Sequence, residues 1–153
     1  MTTTQSRALL TVAVVLVLGA VNWSIVAKER IKTHGERIFL ALAPVDPRSL
    51  MQGDYMALRF ELASNISADA EGSAPLFVDA RGIATLNPSP ATADLHIRYR
   101  VRNGQVWLGT NAYFFEEGTA ARYEGARYGE FRIDRDSGEA VLVGLADENL
   151  KAK

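Results

Sequence analysis

The sequence predicts a mainly β protein: one N-terminal transmembrane helix followed by a compact antiparallel β-sheet or barrel-like domain with short helical turns. Three observations carry this. Residues 8–27 (ALLTVAVVLVLGAVNWSIVA) run for 20 residues without a charge. Beyond residue 37, apolar and polar side chains alternate over short segments, the period of half-buried strands. Turn signals such as Asn103-Gly104 separate those segments. The chain divides into a tail at 1–7, an anchor at 8–27, a neck at 28–36 and a β-rich domain at 37–150.

The anchor comes first. Twenty residues at ~1.5 Å each reach about 30 Å, the thickness of a bilayer's hydrocarbon core. Arg7 and Lys28 bracket the run, and Trp23 lies where an interfacial anchor would. Asn22 and Ser24 are its polar residues near the same end. The alternative is a cleaved signal peptide, whose apolar core is usually ~7–15 residues followed by a small-x-small site. Ile25-Val26-Ala27 is a poor version of that site. Orientation is contested within the sequence itself. Lys28, Arg30, Lys32 and Arg37 follow the span and only Arg7 precedes it, which by charge bias favours a cytoplasmic domain.

The remaining elements follow in order. Helix continues past the span through Lys28–Thr33, and Gly35 is expected to stop it in a left-handed conformation. Residues 37–45 (RIFLALAPV) read as a central strand because nearly every position is apolar. Asp46 and Pro47 suit the start of a short helical turn that Gly53 ends. Residues 54–62 read as a strand with Met56, Leu58, Phe60 and Leu62 on one face. Residues 63–74 form a polar surface loop. Residues 76–86 form a hairpin turning at Arg81-Gly82, and Asn87–Pro90 is a loop. Residues 95–108 form a hairpin through Asn103-Gly104, the favoured two-residue turn. Residues 119–125 suit one helical turn. Residues 131–134 and 140–145 close a last hairpin around Asp136-Ser-Gly138. A weak likeness between FVDARGIATL and FRIDRDSGEAVLV suggests similar hairpins.

Composition narrows the chemistry. Net charge is −1, which gives no electrostatic case for nucleic acid. Residues 39–150 hold 10 Arg against 16 Asp and Glu, a net of −6, behind the basic neck. There is no cysteine, so disulfides, thiolate metal sites and cysteine nucleophiles are excluded. Only His34 and His96 are available to a histidine-based site.

The sequence Gly53-Asp54-Tyr55-x-x-Leu58-x-Phe60, approached through Pro44-Val-Asp46-Pro-Arg48, resembles the GDYXXLXY family. Phe60 stands where the family pattern has Tyr, which removes one phenolic hydroxyl. Tyr113-Phe114-Phe115-Glu116-Glu117-Gly118, followed by Glu124, is similar to the family's second block, with Glu116 where a proline is expected. The resemblance spans nearly the whole chain beyond the anchor. It implies an N-terminal anchor and an extracytoplasmic domain, and hence the periplasmic side of a bacterial inner membrane. It implies no established activity and carries over no catalytic residue.

Four groups of residues are candidates for function. Asp46, Arg48, Gly53, Asp54, Tyr55, Leu58 and Phe60 form a partner-binding hypothesis, set against Asp54 merely fixing its turn. Tyr113, Phe114, Phe115, Glu117, Gly118 and Glu124 are the second block; its aromatics, with Tyr99 and Trp107, read as core rather than ligand platform. Glu116, Glu117 and Glu124 with Asp46 and Asp54 lack any metal-ligand spacing, and no metal or cofactor is expected. His96, Arg98, Arg100 and Arg102 make one basic strand face, expected to be solvated or paired with glutamates on a neighbouring strand, or else to dock on lipid headgroups or an acidic partner. Ser49 faintly resembles a membrane-bound signal peptidase nucleophile, but Lys28, Lys32, Lys151 and Lys153 fall on no expected core strand. The expected function is therefore a membrane-anchored, non-enzymatic accessory or binding module, held in the lipid bilayer through 8–27 and assembling with another membrane protein. The alternatives are a hydrolase using Asp54 with Glu116 or Glu117, and a sensor with a small-ligand pocket under the 63–74 loop.

Overall fold

In the computed structural model, residues 3–43, 51–52 and 55–153 are described. Asp46, Pro47, Arg48, Ser49, Gly53 and Asp54, and the helical turn expected among them, lie outside the described residues.

The first element is one uninterrupted helix, α1 (Thr3–His34). It carries the uncharged run, and its apolar side chains from Leu9 to Val26 stay exposed rather than covered by the domain. α1 is long and apolar enough to cross a bilayer. Only its last turns meet protein. Ile31 is buried, and Lys28 Nζ donates to Glu139 Oε2 at 2.7 Å. Gly35 ends the helix, as expected, but for another reason: it is not left-handed. A Cβ there would lie 2.5 Å from the Ile31 carbonyl oxygen and 3.1 Å from the Ile133 backbone. The glycine lets the helix end press against a strand.

The rest is antiparallel β. The strands are β1 (Glu36–Ala41), β2 (Met51–Gln52), β3 (Tyr55–Ala57), β4 (Gly72–Val78), β5 (Ala84–Leu86), β6 (Leu95–Arg102), β7 (Gln105–Trp107), β8 (Ala112–Phe114), β9 (Tyr128–Ile133) and β10 (Ala140–Ala146). Among the described residues these form three sheets, in the orders β1-β9-β10, β2-β3-β8 and β5-β4-β6-β7. A four-residue helix, α2 (Glu61–Ser64), and 3-10 turns at Pro90–Thr92 and Ala120–Tyr123 complete the domain. The sheets are stitched together by single contacts. Phe39 bridges Ile83, Leu42 bridges Phe60, and Arg98 N donates to Gly138 O at 2.7 Å.

The hairpins at 76–86, 95–108 and 131–145 form where expected. Asn103 (φ 52°) and Gly104 (φ 70°) both take positive φ, as a type I′ turn requires. The likeness between the first and last hairpins has a physical basis in an aspartate at each turn. Asp79 Oδ1 accepts from the amides of Arg81 and Ile83, and Asp134 Oδ1 accepts from the amide and hydroxyl of Ser137.

Three expectations need correction. β1 is an edge strand of its ladder, with β9 central. Its apolar run is explained by cover on both faces: Ile38, Phe39 and Leu40 are all buried, partly under the contact with Ile83. The strand expected over 54–62 stops at Ala57, and Leu62 reaches the core from α2 instead. Met56, Leu58, Phe60 and Leu62 are nevertheless all buried, because the sequence pattern records the facing, not the backbone path. The loop expected over 63–74 is partly structured, since α2 occupies its start and β4 its end.

One core serves all three sheets. At its centre Phe60 meets Phe131 edge to face, centroids 5.2 Å apart. Gly129 makes this possible: a Cβ there would lie 2.8 Å from Phe60 Cε1 and 3.1 Å from both Leu142 Cδ1 and Phe131 Cε2. Gly129→Ala is expected to destabilise the domain by ~1–3 kcal/mol through overpacking. Chemical denaturation checks this, and an unchanged midpoint would contradict it.

Candidate functional site

Two sites emerge. The first joins the two sequence blocks. β3 pairs antiparallel with β8, and the register sets Tyr55 opposite Phe114, Met56 opposite Tyr113 and Ala57 opposite Ala112. Segments nearly 60 residues apart in sequence thus become neighbouring strands. The Tyr55 and Phe114 rings are 5.7 Å apart, tilted by 39°.

Alternation along β8 decides which aromatics face out. Tyr113 and Phe115 turn to one side and pack on Tyr123, with centroids 5.3 and 5.1 Å away, the second pair stacked. Phe114 turns to the other side and is 74% exposed. The expectation that these rings are core therefore holds for Tyr113 and Phe115, which are half-buried against the core, and fails for Phe114. Burial, then the hydrogen bond and charge of Tyr123, push the Tyr113 phenol above its usual range, with Arg122 opposing. Leu58 and Phe60 are 2% exposed and belong to the core.

The remaining members of the second block form a solvated turn. Gly118 takes φ +79°, and Thr119 Oγ1 donates to the Glu116 carbonyl at 2.6 Å. The side chains of Glu116, Glu117 and Glu124 are exposed. Among the described residues, no three His, Asp or Glu converge on a possible metal position. Asp46, Arg48, Gly53 and Asp54 lie outside the described residues.

The second site is a basic groove of about 340 Å³ beside the end of α1. Arg98, Arg100 and Arg102 line it, with Lys28, Trp107 and Glu139. His96 is exposed but lies outside the groove. Of the two arrangements expected for this face, solvation holds: Arg98, Arg100 and Arg102 are exposed. Opposite Arg98, Arg100 and Arg102 stand Ser73, Trp107 and Gln105. The ion pairs among the described residues use Lys28, Lys32 and Arg135 instead. Arg102 lies over the Trp107 ring, 5.5 Å from its centroid, and the indole Nε1 is buried without an acceptor among the described residues. Sequence reasoning read Trp107 as a core aromatic and Lys28 as part of the basic neck, and joined neither to the arginine face. A two-residue turn at Asn103-Gly104 fixes Trp107 opposite Arg100, so that half was available; Lys28 arrives only through the docking of α1. A third, smaller cleft of about 310 Å³ lies between the α2 region and the β6–β7 turn, lined by residues including Ala63, Ile66 and Gln105.

A family model described as GDYXXLXY protein matches residues 17–145. The chain belongs to the GDYXXLXY family. The matched region of this GDYXXLXY protein begins inside α1 and contains both paired blocks, the basic strand and the last hairpin. No curated protein and no solved structure matches the chain.

The turn of the last hairpin gives this GDYXXLXY protein an acid-sensitive point. The Ser137 hydroxyl, then its amide, hold the Asp134 carboxyl below its usual range, with Arg30 adding to the effect. A carboxyl with a lowered folded value contributes stability that is present above the unfolded value. That contribution disappears as pH falls through the folded value. Melting should therefore weaken below about pH 4, and Asp134→Asn should flatten that acid limb. Identical limbs in thermal melts of the two proteins would contradict this.

Proposed function

We propose that this protein is a membrane-anchored, non-enzymatic accessory module that binds another membrane protein through the paired Tyr55–Phe114 surface. The observation that carries this is Phe114. A large apolar ring 74% exposed, ordered against Tyr55 on a sheet shared by both family blocks, is the kind of aromatic anchor that dominates protein interfaces. The exposed apolar length of α1 supports insertion in a bacterial inner membrane. The family resemblance favours a periplasmic domain over the cytoplasmic one that the basic neck would suggest.

A hydrolase reading has less support. Its Asp54 lies outside the described residues, and Glu116 and Glu117 are exposed on a turn. A small-ligand sensor has one observation in its favour, the cleft beside Ala63 and Ile66, which lies where that reading needs it.

The test is an affinity pull-down from gently solubilised membranes after in-cell crosslinking, with folded protein matched by melting curve. A membrane protein should be captured by the native chain and reduced roughly 30-fold or more by Phe114→Asp, the scale of a lost aromatic anchor. Phe77→Asp, at another exposed phenylalanine, should leave capture intact. Equal loss in both variants, or no defined partner, would overturn the proposal.

A further inference from the structure

The basic groove is placed where lipid headgroups would be. Lys28 is the first residue after the uncharged run, and it lines the groove. Trp23, 79% exposed and little more than one turn earlier, stands at the height of an interfacial aromatic. The β9–β10 turn leans toward that level, since Arg135, Asp136 and Ser137 share a cavity with Trp23, Val26 and Ala27.

Charge in the groove is arranged for an anion. Arg98 and Arg100 are successive same-face residues of β6, about 7 Å apart. Each ends in a planar fork suited to a phosphate's oxygens. Their cross-strand neighbours Ser73 and Trp107 carry no charge. The carboxylate that lines the groove, Glu139, is held by Lys28 at 2.7 Å. All this sits on a domain whose residues 39–150 carry a net of −6, so an anionic surface is repelled elsewhere and accepted here.

We infer that the groove formed by Arg98, Arg100, Arg102, Lys28 and Trp107 binds the phosphate of an anionic lipid headgroup and so fixes the domain's pose against the bilayer. This rests on the reading of residues 8–27 as a membrane span. It is independent of the Phe114 surface.

The experiment uses the full chain with Trp23→Phe, which leaves Trp107 as the remaining one of its 2 tryptophans and a reporter within the groove. The protein is reconstituted in phosphatidylcholine vesicles with rising phosphatidylglycerol, and inorganic phosphate is titrated separately. Phosphatidylglycerol should shift Trp107 emission at low mole fraction, with inorganic phosphate inert. In Arg98→Gln/Arg100→Gln the half-point should rise on the order of tenfold or more. Both side chains are exposed, so this variant should melt and float with neutral vesicles like its parent. A Trp107 response that ignores lipid charge, or one that inorganic phosphate reproduces, would overturn the headgroup proposal while leaving the span in place. Failure to float with any vesicle would overturn both.

Discussion

The contact of Phe60 with Phe131 over Gly129 is the constraint on which the other features depend. Phe60 closes the first family block, and Phe131 sits in the central strand of the C-terminal sheet. Burying two such rings contributes roughly 1.5–3 kcal/mol each. The contact works only because position 129 has no side chain to intervene. It pins the chain directly after β3, which also donates Leu58 N to Asn111 O at 2.7 Å, and so brings β3 beside β8. Without that anchor a three-residue strand would have little to hold its register.

The aromatic surface follows from that register. Once Tyr113 and Phe115 are committed to Tyr123 and the core, the strand period leaves Phe114 no inward course. An apolar ring held in water does nothing for the stability of the isolated domain. Its neighbour Tyr55 is amphipathic, suited to a boundary that is sometimes wet and sometimes covered. The basic groove depends on a different junction. Gly35 lets α1 abut β9, Arg132 Nη1 reaches the Gly35 carbonyl at 3.3 Å, and Lys28 then lands on Glu139. The helix and the domain meet as a packed corner, and Lys28 is the residue through which the helix reaches the groove.

Much of this was legible in the sequence. The Asn103-Gly104 turn alone defines β6, β7 and their pairing, because the backbone there tolerates few residues with positive φ. The inward set Met56, Leu58, Phe60 and Leu62 was legible too, although the chain passes from strand to helix within it. What escaped needed tertiary partners. In a run of three aromatics, periodicity says that Phe114 opposes Tyr113 and Phe115 but not which side is covered; Tyr123 decides that. The arginine face was expected to be solvated or paired with glutamates, and it is solvated. The register sets serine, tryptophan and glutamine opposite it. Gly35 was rightly seen as a stop, but what leaves no room for a side chain is the Ile31 carbonyl together with a strand 98 residues away, not a left-handed backbone.

We propose that the pairing of the two family blocks presents one binding surface. The most direct test places a photo-crosslinking amino acid at position 114 of the full chain in living cells, with position 77 as an equally apolar, exposed control. A discrete adduct with one membrane protein from position 114, absent from position 77, is the predicted result. No adduct at 114, or the same adducts from both positions, would contradict the claim.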